Sequence, residues 1–440
     1  MIAPMILYST HITPRLRYIV DFFSGELFEE PIRLVNDRSR FIKSAEPKIN
    51  YSGKEFGEEE FFIHNKSLLF EDYLRRQEIE CFELNFHKAF FQTDGDFPFD
   101  IFAASFYLLS RYEEYLPHKK DEYGRFPHTA SLAFREKFLE IPLINVWLAE
   151  FSKALQHKFP QIRFRRPAFR FIPTYDIDIA YSYLYKGVWR NTGALARSIL
   201  KGRFSDAIGR VNVLRGKKTD PFDVYEWLDS LHLYCRVKPV YFFLVAKEPK
   251  GVDKNISPSK KGLKELVAYH SAGYGIGIHP SWQSGDKAEL LKNEIGWLAG
   301  VSQKKIFRSR QHYIRMDLPE TYRRLIDAGI EKDYSMGYGS INGFRASVAS
   351  SFYWFDLEIN EATGLQIFPF CFMDANSFFE QKLSPQAAMD ELMHYYRRIR
   401  KLNGLMITIW HNHFLGSDRI FAGWRQVYEV FLKEEVYWDM

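Results

Sequence analysis

The sequence feature that most constrains the fold is a repeating order of apolar strand, loop and amphipathic helix, which begins near residue 168. Seven strands are predicted from this order, at 169–175, 239–245, 274–278, 305–309, 332–335, 366–370 and 405–410. Strands that alternate with helices pair in parallel, because each helix returns the chain to the same end of the sheet. The last two-thirds of the chain is therefore predicted to form an α/β fold, either a parallel sheet or a barrel.

Two of the helices between these strands carry end signals. Ser384 can cap a helix predicted over 385–403, because a serine oxygen accepts a backbone N–H of the first turn. Asp317 and Glu320 have the spacing of a capping box at the start of a helix predicted over 318–328. Both helices alternate with predicted strands, which supports the α/β interpretation.

The first 165 residues lack this order and mix short strand-like and helical runs. Within them, the apolar body of segment 96–117 has helical spacing and predicts a buried helix. A chain of 440 residues is long enough for two domains. We predict a smaller N-terminal α+β domain of unknown role over 1–165 and an α/β domain over 166–440.

Composition and charge exclude several classes of protein. A formal charge of +5 over 440 residues is too small to indicate nucleic-acid binding. Cys81, Cys235 and Cys371 show no CxxC spacing, which argues against a disulfide framework and a cysteine zinc site. The N-terminus lacks a signal-peptide pattern, and no apolar run is as long as a membrane span. The sequence predicts a cytoplasmic protein without a transmembrane segment and indicates no oligomeric state.

Two basic stretches are predicted to lie on the surface. Arg163, Arg165, Arg166 and Arg170 alternate with apolar residues, which predicts a strand with one solvated face. The Gly-punctuated segment 186–218 separates the first strand from the next helical unit and predicts a surface excursion or a lid. Its amphipathic character also fits membrane contact, but a solvated face is the preferred interpretation.

Polar residues lie within or just after the ends of five predicted strands. They are Asp176, Asp178, His279, Arg310, His312, Asp333, His411 and His413. In a barrel of parallel strands such positions gather at one end, where active sites form. Each has a structural alternative: an aspartate can cap a loop, His279 before Pro280 can belong to a turn, and Arg310 can be an ordinary ion-pair partner. Only one of His411 and His413 needs to face a site.

The chemistry that these residue types suggest is metal-assisted hydrolysis. Aspartate and histidine are natural ligands for zinc and similar divalent ions. A bound ion lowers the pKa of its water and polarises a carbonyl group. A second carboxylate can then act as general base and a histidine as general acid.

Five segments resemble, in chain order, the motifs of the polysaccharide deacetylase family (NodB-homology, carbohydrate esterase family 4). They are TYDID at 174–178, IGIHPSWQS at 276–284, SRQHYIR at 309–315, DYSMGY at 333–338 and ITIWHNH at 407–413. The resemblance covers about residues 168–440, and the first region is similar to the accessory region of a Bacteroidetes-type subgroup. It implies a distorted (β/α)7-type barrel that removes N-acetyl groups from an amino-sugar glycan or a glycan intermediate. It also implies a divalent ion, with zinc expected and nickel or cobalt as alternatives.

The resemblance implies a role for several of these residues. Asp176 would be the general base, Arg310 would orient it, and His411 would be the general acid. Asp178 and His279 would bind the metal. Other side chains in or near the matching segments are candidates for carbohydrate binding, namely Ser281, Trp282, Tyr313, Asp333, Tyr338, Arg345 and Trp410.

The sequence departs from the family pattern at the metal site. Ile177 separates the two aspartates, and Gln283 stands where the family has a second metal-binding histidine. We hypothesise that His312 or His413 replaces that ligand. The alternatives are a catalytically degenerate carbohydrate-binding protein on the same barrel, and a metal-dependent hydrolase of another ester or amide.

Overall fold

The structure is a computed structural model that describes residues 5–165, 167–248 and 251–436. Over these ranges the strands form three sheets, of four, nine and two strands. None of the described helices has the length and apolar character needed to cross a bilayer.

The first part of the chain contains the two smaller sheets. Its strands are β1 (Ile6–Tyr8), β2 (Arg33–Val35), β3 (Lys48–Ser52), β4 (Phe61–His64), β5 (Phe82–Leu84) and β6 (His87–Ala89). The first four form a parallel sheet in the order β2-β1-β3-β4, and the last two form an antiparallel hairpin. The helices of this part are α1 (Pro14–Leu27), α2 (Arg38–Lys43), α3 (Ile101–Leu109), α4 (Leu132–Arg135) and α5 (Leu143–Lys158).

Helix α3 confirms the buried helix predicted within segment 96–117. All nine of its residues are buried, as a helix that is apolar on every side requires. Asp100 caps the helix by accepting the Ala103 N–H at 2.9 Å, and its other oxygen accepts the Tyr51 hydroxyl at 2.7 Å. The cap therefore also joins α3 to strand β3, which contains Tyr51.

The nine-stranded sheet forms the scaffold of the candidate site. Its strands are β7 (Arg170–Ile177), β8 (Val240–Leu244), β9 (Gly275–His279), β10 (Arg308–Ser309), β11 (Lys332–Asp333), β12 (Phe352–Asp356), β13 (Glu361–Ile367), β14 (Phe372–Met373) and β15 (Leu405–His411). The strand order is β12-β13-β11-β10-β9-β8-β7-β15-β14, and every pair is parallel except β12 with β13. The predicted α/β class with a parallel sheet is confirmed.

All seven predicted strands correspond to strands of this sheet, and β12 and β14 are additional. Strand β13 begins at Glu361, ahead of the predicted start at 366, because its first half pairs with β12 in an antiparallel hairpin. Within the described ranges the order ends at β12 on one side and at β14 on the other. These pairings define an open order of strands and do not close the ring of a barrel.

Eight α-helices accompany this sheet over the described residues. They are α6 (Val188–Leu200), α7 (Phe204–Leu214), α8 (Tyr225–Cys235), α9 (Lys261–Gly273), α10 (Ala288–Ser302), α11 (Glu320–Asp327), α12 (Pro385–Lys401) and α13 (Trp424–Val430). The predicted cap of α12 is confirmed, since Ser384 accepts the Ala387 N–H at 3.2 Å. The predicted capping box of α11 is wrong, because Pro319 precedes the helix and the Asp317 carboxylate pairs with Lys120 instead.

The two basic stretches differ in structure. Strand β7 begins only at Arg170, so Arg163 and Arg165 do not form the predicted strand, and Arg166 lies outside the described residues. The Arg165 N–H donates instead to the Leu27 carbonyl at 2.8 Å. The second stretch, 186–218, forms the helices α6 and α7.

Contacts between the first part of the chain and the large sheet are both apolar and charged. The Phe106 ring of α3 packs against Phe355 of β12, with 5.1 Å between centroids. Glu114 lies between two arginines, 2.8 Å from Arg111 Nε and 2.5 Å from Arg345 Nη2, and all three side chains are buried. A buried carboxylate between two guanidinium groups fixes the two parts in one arrangement.

Candidate active site

A cavity of about 360 Å³ lies where strands β7, β9, β10 and β15 reach their carboxyl ends. Its lining includes six of the predicted catalytic and metal-binding residues, namely Asp176, Asp178, His279, His312, His411 and His413. The parallel register brings them together, because His411 of β15 is paired with Asp176 of β7. His279 ends β9, which follows β8 in the sheet order, and β8 is paired with β7.

Asp178, His279 and His312 form a group with metal-ligand spacing. The His279 Nε2 atom is 3.1 Å from Asp178 Oδ1, and the His312 Nε2 atom is 3.6 Å from Asp178 Oδ2. One ligand atom from each residue lies within 4.8 Å of the others. Two histidines and one carboxylate are a ligand set used by catalytic zinc sites.

Hydrogen bonds to the far ring nitrogens orient both histidines toward Asp178. The His279 Nδ1 atom bonds to the Arg310 carbonyl oxygen at 2.6 Å. The His312 Nδ1 atom bonds to Asp253 Oδ1 at 3.0 Å. Because Nδ1 of each ring is engaged in this way, Nε2 of each ring faces the group, as in metal sites with an outer carboxylate or carbonyl.

The state of Asp178 also fits a bound cation. Its Oδ1 atom is buried and accepts no hydrogen bond of good geometry, despite the nearby imidazole. Burial acts to raise the pKa of Asp178, but His312 and His279 outweigh this and hold that pKa well below its usual value. A buried, ionised carboxylate oxygen without a donor is expected where a divalent ion would bind.

Asp176 is held next to this group by Arg310. The Arg310 Nη1 atom donates to Asp176 Oδ1 at 2.9 Å and to Thr174 Oγ1 at 2.7 Å. The guanidinium also stacks on the Phe242 ring, 4.5 Å from its centroid, and is fully buried. The other oxygen of Asp176 lies 3.9 Å from His279 Nε2, so the second carboxylate is adjacent to the candidate metal group.

His411 forms a pair with Asp374 on the other side of the cavity. Its Nδ1 atom lies 2.6 Å from Asp374 Oδ1, and its backbone N–H donates to the other carboxylate oxygen at 2.7 Å. Burial acts to lower the pKa of His411, but Asp374 outweighs it and raises that pKa to about 9. The Nε2 atom is 3.5 Å from Asp178, so a protonated nitrogen faces the centre of the site at neutral pH.

His413 lies in the same cavity but outside the metal-ligand group. Its ring packs between Phe222 and Phe421, with centroid distances of 5.5 and 5.4 Å. Burial, together with the nearby His411, lowers the pKa of His413 to about 3, so its ring is neutral. Of the two histidines considered as replacements for the missing ligand, His312 is the one that faces Asp178.

Among the seven candidates for carbohydrate binding, only Tyr313 is part of the cavity lining. Ser281 and Trp282 follow β9, and Trp282 packs beside Tyr313 with 6.0 Å between ring centroids. The other four are buried outside the cavity lining, namely Asp333, Tyr338, Arg345 and Trp410. Trp410 shows the reason, because successive side chains of a strand point to opposite faces and its neighbour His411 faces the site.

Asp333, Tyr338 and Arg345 make buried contacts within the protein instead of lining the cavity. Asp333 accepts the hydroxyl groups of Ser309 and Ser335. Arg345 is bound to Glu114, and the Tyr338 ring lies against the Arg345 guanidinium. These three side chains are therefore bonded within the protein and lie outside the cavity lining.

Three contributing residues are missed by reasoning from sequence. Asp253 and Asp374 orient His312 and His411, and Arg125 comes from the first part of the chain. The Arg125 Nη1 atom donates to the Tyr313 carbonyl at 2.7 Å, and the side chain lines the cavity. Of these three residues, only Asp374 could be suspected from the sequence. It directly follows strand β14, just as the other polar residues of the site follow their own strands.

Similarity to known proteins is found among family models and solved structures. Residues 5–160 match the model of a family of unknown function, DUF7033. No curated protein matches the sequence. A protein described as a polysaccharide deacetylase, from Mycobacterium smegmatis, is similar over 62% of this chain and 86% of its own, with 13% identity and a TM-score of 0.39. A polysaccharide deacetylase from Bacillus cereus is similar over 62% of this chain and 89% of its own, with 12% identity and a TM-score of 0.29.

Proposed function

We propose that this chain is a metal-dependent hydrolase that removes N-acetyl groups from an amino-sugar glycan or a glycan intermediate. The observation that carries the proposal is the Asp178–His279–His312 group, which lies in one cavity with a carboxylate and a histidine suited to proton transfer. The motif resemblance supports the choice of an acetylated amino sugar as substrate. Zinc is the proposed ion, with nickel or cobalt as alternatives.

Each side chain of the cavity has a role in the proposed reaction. A bound ion would polarise the acetyl carbonyl and lower the pKa of water. Asp176, fixed by Arg310, accepts the proton of the attacking water at its free oxygen. His411 holds a proton on Nε2, because Asp374 binds Nδ1, and donates it to the departing amine. Asp253 keeps His312 in the tautomer that binds a metal.

The proposal extends to the organisation of the chain. Residues 166–440 are proposed to be a distorted (β/α)7-type barrel whose closure involves contacts other than the strand pairs described. Residues 1–165 are proposed to be an accessory domain. Arg125 supports this division of roles, since it reaches from the accessory part to the wall of the cavity.

The test measures bound metal and acetate release together. The purified protein is expected to contain one divalent ion per chain by elemental analysis and to release acetate from oligomers of N-acetylglucosamine. Asp178→Asn, His279→Ala and His312→Ala should each lose the ion and the activity. His413→Ala is the matched control, because it removes an imidazole from the same cavity but outside the ligand group.

Two outcomes would contradict the proposal. Full metal occupancy in His312→Ala, with loss in His413→Ala, would exclude the ligand set described above. A native protein that takes up no ion and binds the oligomers without releasing acetate would indicate a carbohydrate-binding protein instead.

A further inference from the structure

The helical hairpin of α6 and α7 exposes large apolar side chains. Trp189 is 92% exposed, Leu200 87% and Phe204 59%, and Val188 and Ile208 are also exposed. Trp189 and Leu200 are eleven positions apart and therefore share a face of α6, while Phe204 and Ile208 share a face of α7. A surface of this kind marks an interaction site, whereas single exposed apolar residues do not.

Few side chains of the hairpin are buried, and none of them is a large apolar residue. In α6 the buried residues are Asn191 and Ser198, and in α7 they are Ala207 and Val213. Asn191 accepts a hydrogen bond from Arg210 at 2.7 Å, which links the two helices. An amphipathic helix of a water-soluble domain normally buries its large apolar residues. In this hairpin the largest apolar side chains, Trp189, Leu200 and Phe204, instead remain mostly exposed.

The hairpin is also strongly basic. Segment 186–218 contains nine Lys and Arg residues and one acidic residue, Asp206. Lys201 and Arg203 lie at the turn between the helices, next to Leu200 and Phe204. Helices that rest in a membrane interface combine Trp, Phe and Leu with Lys and Arg in this way.

The positive charge of the hairpin favours an anionic lipid surface over a second copy of the chain as the partner of its apolar residues. Two copies of the hairpin would each contribute the same positive charge, and like charges across an interface oppose association. An anionic lipid surface offers both negative head groups for the basic residues and an apolar layer for the tryptophan, leucine and phenylalanine.

We propose that the hairpin 186–218 is a membrane-surface anchor that binds anionic lipid bilayers. Trp189, Leu200 and Phe204 insert among the upper acyl chains, and the basic residues contact the head groups. The anchor lies on the membrane and does not span it. The inference goes beyond the proposed hydrolase function and does not depend on it.

The experiment measures flotation of the full chain with unilamellar vesicles. Vesicles of equal parts phosphatidylglycerol and phosphatidylcholine should carry the protein upward at low salt, and vesicles of phosphatidylcholine alone should not. The combined variant Trp189→Ser, Leu200→Ser and Phe204→Ser should lower the partition coefficient by about tenfold or more, because it removes three apolar side chains from the interface. The variant Lys201→Glu with Arg203→Glu should lower it by about tenfold, and added salt should weaken native binding.

Matched controls come from exposed apolar residues elsewhere on the surface. Phe86→Ser and Leu233→Ser remove side chains that are 96% and 83% exposed, and neither should change flotation. The proposal is overturned if the native protein fails to float with anionic vesicles, or if the hairpin and control variants float equally. It is also overturned if the apolar hairpin variant converts a stable dimer to a monomer, since the surface would then bind a second copy.

Discussion

At the residue scale, the Asp178–His279–His312 group takes its second histidine from a different segment than the motif resemblance implies. Gln283 stands at the pattern's position, and His312, which follows β10, faces Asp178. Chain spacing cannot separate His312 from His413, because the answer depends on which strands are neighbours. Strand β10 is hydrogen-bonded to β9, which ends in His279, and this places His312 next to it.

The residues that orient the site are harder to predict than those that form it. Asp253 and Asp374 act on His312 and His411 over long separations in the chain. A strand-end position predicts which side chains reach a cavity. It does not predict which carboxylate orients a given imidazole, because that pairing depends on how distant segments pack together.

Replacing Asp374 by asparagine should reduce catalysis with little effect on substrate binding. The neutral amide stabilises the protonated His411 less than the carboxylate does. Loss of a well-positioned general acid typically costs about 10²–10⁴-fold. We expect kcat for acetate release to fall by about a hundredfold or more, with KM and metal content close to native.

Asp333→Asn is the control for that prediction. Asp333 is also buried at a strand end and accepts hydrogen bonds from Ser309 and Ser335, but it lies outside the cavity lining. This variant should lower the unfolding temperature while folded protein keeps its kcat. Equal losses of kcat in both variants would contradict a specific role for Asp374.

His270 is predicted to make the protein sensitive to acid. Burial lowers its pKa from 6.5 to about 4. Because the folded pKa lies below the unfolded value, the stability that neutral His270 contributes is complete above pH 6.5 and is lost as the pH falls toward 4. His270→Phe keeps a ring against Tyr241 and removes this loss, which amounts to about 3 kcal/mol.

The measurement is the urea midpoint of unfolding as a function of pH. The midpoint of His270→Phe should fall less steeply between pH 6.5 and about 4 than the native midpoint. His394→Phe, at an exposed position, serves as the control. Parallel curves for the native protein and His270→Phe would show that this imidazole does not titrate on unfolding.

At the element scale, features that depend on neighbouring residues in the chain are predicted well. Features that depend on residues far apart in the chain are not. Ser384 caps α12 as expected, because the cap needs only the first turn of the same helix. The capping box expected for α11 is absent, because the helix begins at Glu320 after Pro319, and the Asp317 carboxylate pairs with Lys120 from the first part of the chain. The same limit applies to the sheet, where the two-residue strand β14 is too short to give a pattern.

Ser384→Ala should destabilise α12 by about 1 kcal/mol, because the Ala387 N–H loses its acceptor. Ser230→Ala makes the same chemical change at an exposed site inside α8 and should have little effect. Calorimetric unfolding of the two variants gives the comparison. If both transitions stay at the native temperature, the cap contributes nothing to stability.

At the scale of the whole molecule, Glu114 couples the first part of the chain to the large sheet. Burial alone raises the pKa of Glu114, but Arg345 and Arg111 outweigh it and lower the pKa from 4.5 to about 2. The depressed folded value means that this stabilisation is complete above pH 4.5 and is lost as the pH falls toward 2. Acid should therefore weaken the contact between the two parts.

Glu114→Gln should cost about 3–5 kcal/mol at neutral pH, because two buried guanidinium groups lose their shared carboxylate. Glu429→Gln is the matched control, since it breaks an exposed pair with Lys433 and should change little. The midpoint of denaturant unfolding measures both. Native-like stability of Glu114→Gln would show that the two parts do not depend on this ion pair.

The base of the hairpin has a consequence for how substrate reaches the cavity. Asp220 accepts the backbone N–H groups of Ser182, Tyr183 and Leu184, and two residues later Phe222 lines the cavity. In a molecule resting on a bilayer through this hairpin, only residues 219–221 of the chain would separate the anchor from a residue that lines the cavity. Its encounter with any lipid-carried glycan would then be a search in two dimensions, with surface density replacing bulk concentration.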